Sequence, residues 1–117
     1  MKKQTKSSLT RKLDKECSRI VRGRGFCARC NTADYEKLQC AHIFSRVYRS
    51  VRWFFDNLLC LCASCHFWGH RNPLLFAEWV RTYLGEEKYQ SLKIMAFTPK
   101  KWLLCELQEL LTSLENL

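Results

Sequence analysis

Glycine and proline are scarce in this chain, four and two among 117 residues, and no low-complexity linker or internal repeat divides it. No apolar run approaches the roughly 18 residues that cross a bilayer, and the first residues lack the apolar stretch of a secretory signal. These absences exclude a membrane-spanning helix and predict a soluble, cytoplasmic protein with no membrane partner. A transit peptide fits poorly, because Asp14 and Glu16 interrupt the basic N-terminus. The chain is also too short for two ordinary cores, so one domain burying roughly two-thirds of its unfolded surface is expected.

Acidic residues are in the minority, 11 against 20 Lys and Arg, for a net charge of +9. The excess is uneven: residues 1–24 carry +7, residues 25–71 carry +3, and residues 72–117 carry −1. A basic arm followed by a basic middle is the distribution of a polyanion binder, though a solubilising tail would look the same.

Residues 1–7 are polar and predict disorder in the absence of a partner. From Ser8 to Arg22, Leu9, Leu13, Cys17 and Ile20–Val21 recur at helical spacing among Lys and Arg, which predicts a basic amphipathic helix ended by Gly23 and Gly25. Residues 26–31 read as a knuckle turn. Residues 37–44 read as a strand ending at His42 and residues 47–55 as its hairpin partner. Trp53, Phe54 and Phe55 are assigned to the core, and the uninterrupted Leu58-Leu59-Cys60-Leu61 run is expected to be buried. A helix beginning near Ala63 or Ser64 would carry His66 and His70. Asn72-Pro73 starts another, with Leu74, Leu75, Trp79, Val80 and Leu84 as its stripe and Gly85 as its stop. A short helix covers residues 86–96. Thr98-Pro99 opens the last, whose leucine stripe offers a face for a homodimer.

Eight cysteines would suit a secreted disulfide framework, but their arrangement suits a metal better. Cys27-x-x-Cys30 and Cys62-x-x-Cys65 are separated by 31 residues, and four thiolates in two such turns match the tetrahedral sulfur set of a structural zinc, one per chain. Cys17, Cys40, Cys60 and Cys105 are left over and read as buried thiols, in keeping with a reducing compartment. All three histidines lie in one stretch. His66 and His70, four apart on a helix, would project from one face as two ligands of one ion.

His42, Asn57, His66 and His70 follow one another at intervals of 15, 9 and 4 residues. With the two C-x-x-C pairs, Ala41-His42, Asn57-Leu58-Leu59 and Leu61-Cys62-x-x-Cys65-His66, this text resembles the HNH, or ββα-metal, endonucleases in the version braced by a cysteine zinc site. The intervals are similar to those of the DNase colicins. Ala41-His42-Ile43-Phe44-Ser45-Arg46, Arg52-Trp53, Asp56-Asn57 and Trp79 through Leu84-Gly85 are most similar to phage recombination endonucleases of the Rap/NinG group. The resemblance covers residues 26–96.

The resemblance implies a small zinc-stabilised ββα-metal core over residues 26–72; with the basic N-terminal arm and helix read over residues 1–25 and helical support over residues 73–117, the fold expected is α+β. It implies that His42 is the general base for water attacking a DNA phosphodiester. Asn57 would orient the histidine loop or ligate the metal, and His66 and His70 would hold a catalytic divalent ion, Mg2+ or Mn2+ first, Ni2+ or Zn2+ otherwise. Arg46, Arg49 or Arg52 would grip the phosphate, and Lys12, Arg19, Arg22 and Arg24 would bind flanking DNA. Products would carry 5′-phosphate and 3′-hydroxyl ends. No specificity module is recognisable, which suggests branched recombination DNA read by shape, or recruitment by a partner, rather than a small-molecule substrate. One position departs from the family pattern. The residue before the base is commonly a metal ligand, and here it is Ala41, so either Gln39 or Cys40 helps, or water and phosphates complete the ion, or the site binds without cutting. His66 could instead join the cysteine zinc, His70 could face solvent or a phosphate, and Asn57 could cap a turn. A non-catalytic zinc-finger module for nucleic acid is the rival expectation.

Overall fold

A computed structural model of the chain describes residues 4–117 and shows an α+β fold of five helices and one two-stranded antiparallel sheet. The elements are α1 (Lys6–Arg22), β1 (Leu38–His42), β2 (Leu58–Cys62), α2 (Ala63–Arg71), α3 (Pro73–Leu84), α4 (Glu86–Ala96) and α5 (Leu104–Glu115). Of the stretch expected to be disordered, residues 1–3 lie outside the described residues. Thr5 caps α1: its Oγ1 accepts from the Ser8 amide at 3.1 Å, and Ser8 Oγ accepts from the Thr5 amide at 3.1 Å. These reciprocal bonds satisfy donors that the first helical turn leaves open, so the helix begins before Ser8.

The expected stripe Leu9, Leu13, Cys17 and Val21 is buried. It packs against α5, whose Leu107, Leu111 and Leu114 are buried in the same core. The N-terminal helix is therefore part of the core rather than an appended arm, and the leucines expected to offer a dimer face are largely covered by their own chain. The last helix starts at Leu104, not at Thr98-Pro99. Thr98 Oγ1 instead donates to the Ile94 carbonyl and finishes α4, while Glu106 accepts from the Leu103 amide at 2.9 Å and caps α5.

The second strand is also displaced from the expected place. β1 pairs with Leu58–Cys62, with Cys40 opposite Cys60 and His42 opposite Leu58. Residues 47–55 instead advance by turns, in which the amides of Tyr48, Val51, Phe54 and Asn57 bond to the carbonyls of Ser45, Tyr48, Val51 and Phe54. Backbone partners three residues back leave that segment no ladder to offer β1. Every residue of β2 is buried, because α1 and α2 both pack on the small sheet. That explains a strand with no polar alternation.

Some individual expectations are corrected by exposure. Trp53 is buried but Phe54 is exposed, and Cys105 is exposed rather than a core thiol. In α3, Leu74 is 82% exposed, and Leu75 also faces solvent, so Val80, Trp79, Leu84 and Phe76 supply the inward face. Gly85 closes α3 at φ 88°, a backbone region costly for side-chain-bearing residues. No helix among the described residues is long and apolar enough to cross a membrane.

Candidate functional site

The two C-x-x-C turns meet. After α1 the chain turns through Cys27 and Cys30, where Asn31 takes φ 64° and its amide bonds back to the Cys27 carbonyl at 2.9 Å. Asn tolerates this left-handed conformation better than most residues. Cys62 ends β2 and its Sγ accepts from the Cys65 amide at the start of α2. The four sulfurs lie within 4.8 Å of one another, and Cys30 and Cys62 are 3.6 Å apart. Zinc–sulfur bonds of ~2.3 Å in a tetrahedron put sulfurs about 3.8 Å apart, so this donor set can hold one zinc ion. None of the eight cysteines is bridged.

The thiols of the cluster differ in acidity. Burial would raise the Cys27 thiol, but amide and thiol donors around it bring it down to about 6. Burial pushes Cys65 up to about 12, against the pull of Arg29. Arg29 lies 3.5 Å from Cys65 Sγ and 3.6 Å above the Trp68 ring, closing one side of the cluster. One thiolate forms readily, whereas all four need a metal to share their charge.

The histidines form a second group. The carbonyl of Arg52 lies 3.1 Å from Nε2 of His42, at the end of β1, and accepts from it. That bond fixes the proton on Nε2 and leaves the Nδ1 lone pair open. Burial lowers the His42 pKa; Arg46 and Arg52 lower it too, against the bond to the Arg52 carbonyl and the charge of Asp14. A neutral imidazole with one committed nitrogen can accept a proton.

His66 and His70 project from α2 with their Nε2 atoms 3.1 Å apart. Bonds of about 2.1 Å to a common ion would then enclose roughly 95°, a feasible pair of ligand positions. Gln39 of β1 places Oε1 2.7 Å from His66 Nδ1, so this ring donates there and keeps Nε2 unprotonated, the way an outer hydrogen bond would orient an imidazole for a metal. Burial and the neighbouring imidazoles His70 and His42 all lower the His66 pKa. His66 is thus grouped with His42 and His70, while the cysteine cluster is complete without it. Ala41 is 1% exposed in the core opposite Leu59. Cys40 is half-buried, with its thiol pushed up to about 11 by burial. Gln39 hydrogen-bonds a histidine of this group, and Cys40 lines the same cleft.

Asn57 is fully buried, and its side chain is spent on the loop behind His42. Oδ1 accepts from the Phe44 amide at 2.7 Å, and Nδ2 donates to the carbonyls of Phe44 and Val51 at 2.9 and 3.2 Å. The Asn57 carbonyl also accepts from the Ile43 amide. This is a positioning role, with no group turned to a metal.

The arginines divide. Arg46 is largely exposed and lines the cleft beside His42, 3.9 Å from Asp14. Arg52 is committed to Asp14 by bonds of 3.1 and 2.6 Å. Arg49 bonds Thr10 and its carbonyl accepts from Trp102. On or near α1, Arg19 bonds Glu16 and the Leu114 carbonyl, Arg24 bonds the Leu58 carbonyl, and Arg22 is half-buried against Tyr35. Lys12 remains exposed. Most of the arginines expected at a phosphate therefore brace the fold, and Arg46 and Lys12 remain available. Asp14 was missed as a site residue; it gathers Arg52, Arg46 and Trp53 Nε1, the last at 2.9 Å. Its one visible signal is an acid set in a basic helix.

His42, His66, His70 and Arg46 border a single cleft of about 700 Å³, whose other wall comes from α3 and α4 through Pro73, Phe76, Ala77, Val80 and Tyr89. No protein-family model, curated protein or solved structure matches the chain.

Proposed function

We propose that the chain is a metal-dependent DNA endonuclease with an HNH-type ββα-metal core formed by β1, β2 and α2. The observation that carries the reading is the convergence of His42 from a strand end with His66 and His70 from the following helix on one cleft, backed by Asn57 on the intervening loop. The zinc-competent cysteines lie at the joint between β2 and α2. A zinc ion there would pin the strand to the helix and take no part in the reaction.

In this reading His42 Nδ1 takes a proton from water as its oxygen bonds to phosphorus and the bond to the 3′-oxygen breaks. The Arg52 carbonyl keeps the imidazole in the accepting tautomer, and Arg46 donates to a non-bridging phosphate oxygen. A divalent ion held by His66 and His70, with Mg2+ or Mn2+ first in expectation, would supply positive charge to the phosphate and the leaving oxygen. The leaving oxygen gains a proton from solvent, giving 3′-hydroxyl and 5′-phosphate ends. Lys12 and Arg46 give DNA its phosphate contacts, with affinity that falls as salt rises. Branched recombination DNA is the proposed substrate class.

A non-catalytic nucleic-acid-binding zinc module is favoured by one observation, the burial of Ala41 where the family pattern has a ligand. Incubation of supercoiled and four-way-junction DNA with magnesium, manganese, nickel or no added ion separates the two. The endonuclease nicks DNA with at least one ion, and the binding module nicks it with none.

A further inference from the structure

The cleft has more room and a different character than phosphate chemistry requires. One wall carries His42, His66, His70 and Arg46, groups suited to an anion. The facing wall is largely apolar and belongs to α3 and α4, outside the strand–strand–helix unit. Its floor is built closely. Gly69 sits between the two helix histidines, and a methyl group there would come within 2.9 Å of the Phe76 ring. The absence of a side chain lets Phe76 lie against α2. Tyr89 of α4 is half-buried and packs its ring against Phe44, 5.7 Å between centroids, at the cleft's edge. Ala77, with its small side chain, lines the same cleft as Phe76 and Tyr89.

A continuous duplex offers such a site phosphates and sugar edges, while its bases stay stacked away from an apolar wall. An unpaired nucleotide offers both halves at once: a phosphate for Arg46 and the imidazoles, and a planar base for the apolar wall. About 700 Å³ lies within the ~300–1,000 Å³ range of small-molecule sites, ample for one nucleotide. Unstacked bases are taken into such pockets between aromatic and apolar side chains, and their unstacking costs least where DNA is already unpaired.

We infer that the cleft is a nucleotide pocket that takes one unstacked base against Phe76, Ala77 and Tyr89 while its phosphate lies at Arg46 and His42. The inference rests on the proposed endonuclease reading for its polymer and gives a physical basis to a preference for branched, gapped or flapped DNA. The occupant is a nucleobase rather than an apolar protein side chain because the cleft's polar wall and the chain's net charge of +9 select a polyanion.

The test is binding without added divalent ion, so that cleavage does not enter. Zinc-loaded protein is titrated into fully paired duplex and into the same duplex with a short unpaired segment, each with 2-aminopurine at the same position, which borders the unpaired segment in the second. The pocket predicts roughly tenfold or greater preference for the unpaired substrate, and a fluorescence change confined to the probe at the junction. Ala77→Leu fills the space and should lower affinity for unpaired DNA more than for duplex. Tyr89→Leu should do the same, with Tyr89→Phe retaining the preference; zinc content and melting temperature identify any variant that has simply misfolded. Equal affinity for both DNAs, or a preference that survives folded Ala77→Leu and Tyr89→Leu, overturns the pocket even if the protein nicks plasmid. A preference abolished by those variants in a protein that never nicks DNA upholds the pocket and sinks the endonuclease reading.

Discussion

The carbonyl oxygen of Arg52 holds Nε2 of His42 at 3.1 Å, while the guanidinium of the same arginine is held by Asp14 of α1. One residue thus ties the histidine at the end of β1 to the N-terminal helix. Burial alone would raise the Asp14 pKa, but hydrogen bonds from Arg52 and Trp53 and the charges of Arg52 and Arg46 bring it below 3.8. A carboxylate with a lowered folded pKa contributes stability that is present above its unfolded value and is lost as pH falls through the folded one. Asp14→Asn should cost roughly 2 kcal/mol near neutrality, less than the ~3–5 kcal/mol of a fully buried pair because both partners are partly exposed. Urea unfolding of both proteins at neutral and acid pH checks this: the gap between them should shrink below pH 3.8.

In the proposed reaction the lowered His42 pKa would set the acid limb. A base acts when neutral, so nicking should fall as pH drops, with a midpoint under the usual 6.5. Arg46 is one of the charges that lower it, so Arg46→Gln should move the midpoint upward as well as weaken binding. The readout is single-turnover rate against pH at subsaturating DNA, which reports the base of the free protein.

Asn57 makes three side-chain hydrogen bonds in a fully buried position. Asn57→Asp keeps the shape but loses two donors and buries an acceptor-only group, so it should destabilise the fold by roughly 2 kcal/mol or more. Activity should fall along with it although the side chain touches no substrate. Thermal melts beside rates measured well below the melting point separate the two effects.

Removal of metal should act on the whole fold. Apparent zinc binding of about 10–16 kcal/mol exceeds the ~5–15 kcal/mol stability of an ordinary domain. Native mass spectrometry should find one zinc per chain, and Cys62→Ser, whose hydroxyl can still cap α2, should lose the ion and the cooperative melt.

Most local signals in the sequence read well because their causes are local, except Thr98-Pro99, where Thr98 finishes α4 instead of opening α5. The four-residue spacing of His66 and His70, the paired cysteines, Asn72-Pro73 and Gly85 each depend on neighbours along the chain, and the corresponding helices and clusters are present. Signals that needed a tertiary partner read poorly. The strand facing β1 is the uninterrupted Leu58–Cys62 run, indistinguishable by pattern from any buried segment. Gln39 orients His66 across 27 positions, and Asp14 reaches Arg52 across 38; neither pairing leaves a periodic trace. Charge alone does not distinguish a solvent-facing guanidinium from one bonded to a carbonyl, as in Arg24.

The most direct measurement compares zinc-loaded wild type and His42→Ala on supercoiled DNA with magnesium or manganese. Wild type should nick and the variant should lose about 10²–10⁴-fold, with melting temperature and zinc content little changed. Equal nicking by both proteins, or none by wild type with any divalent ion, would contradict it.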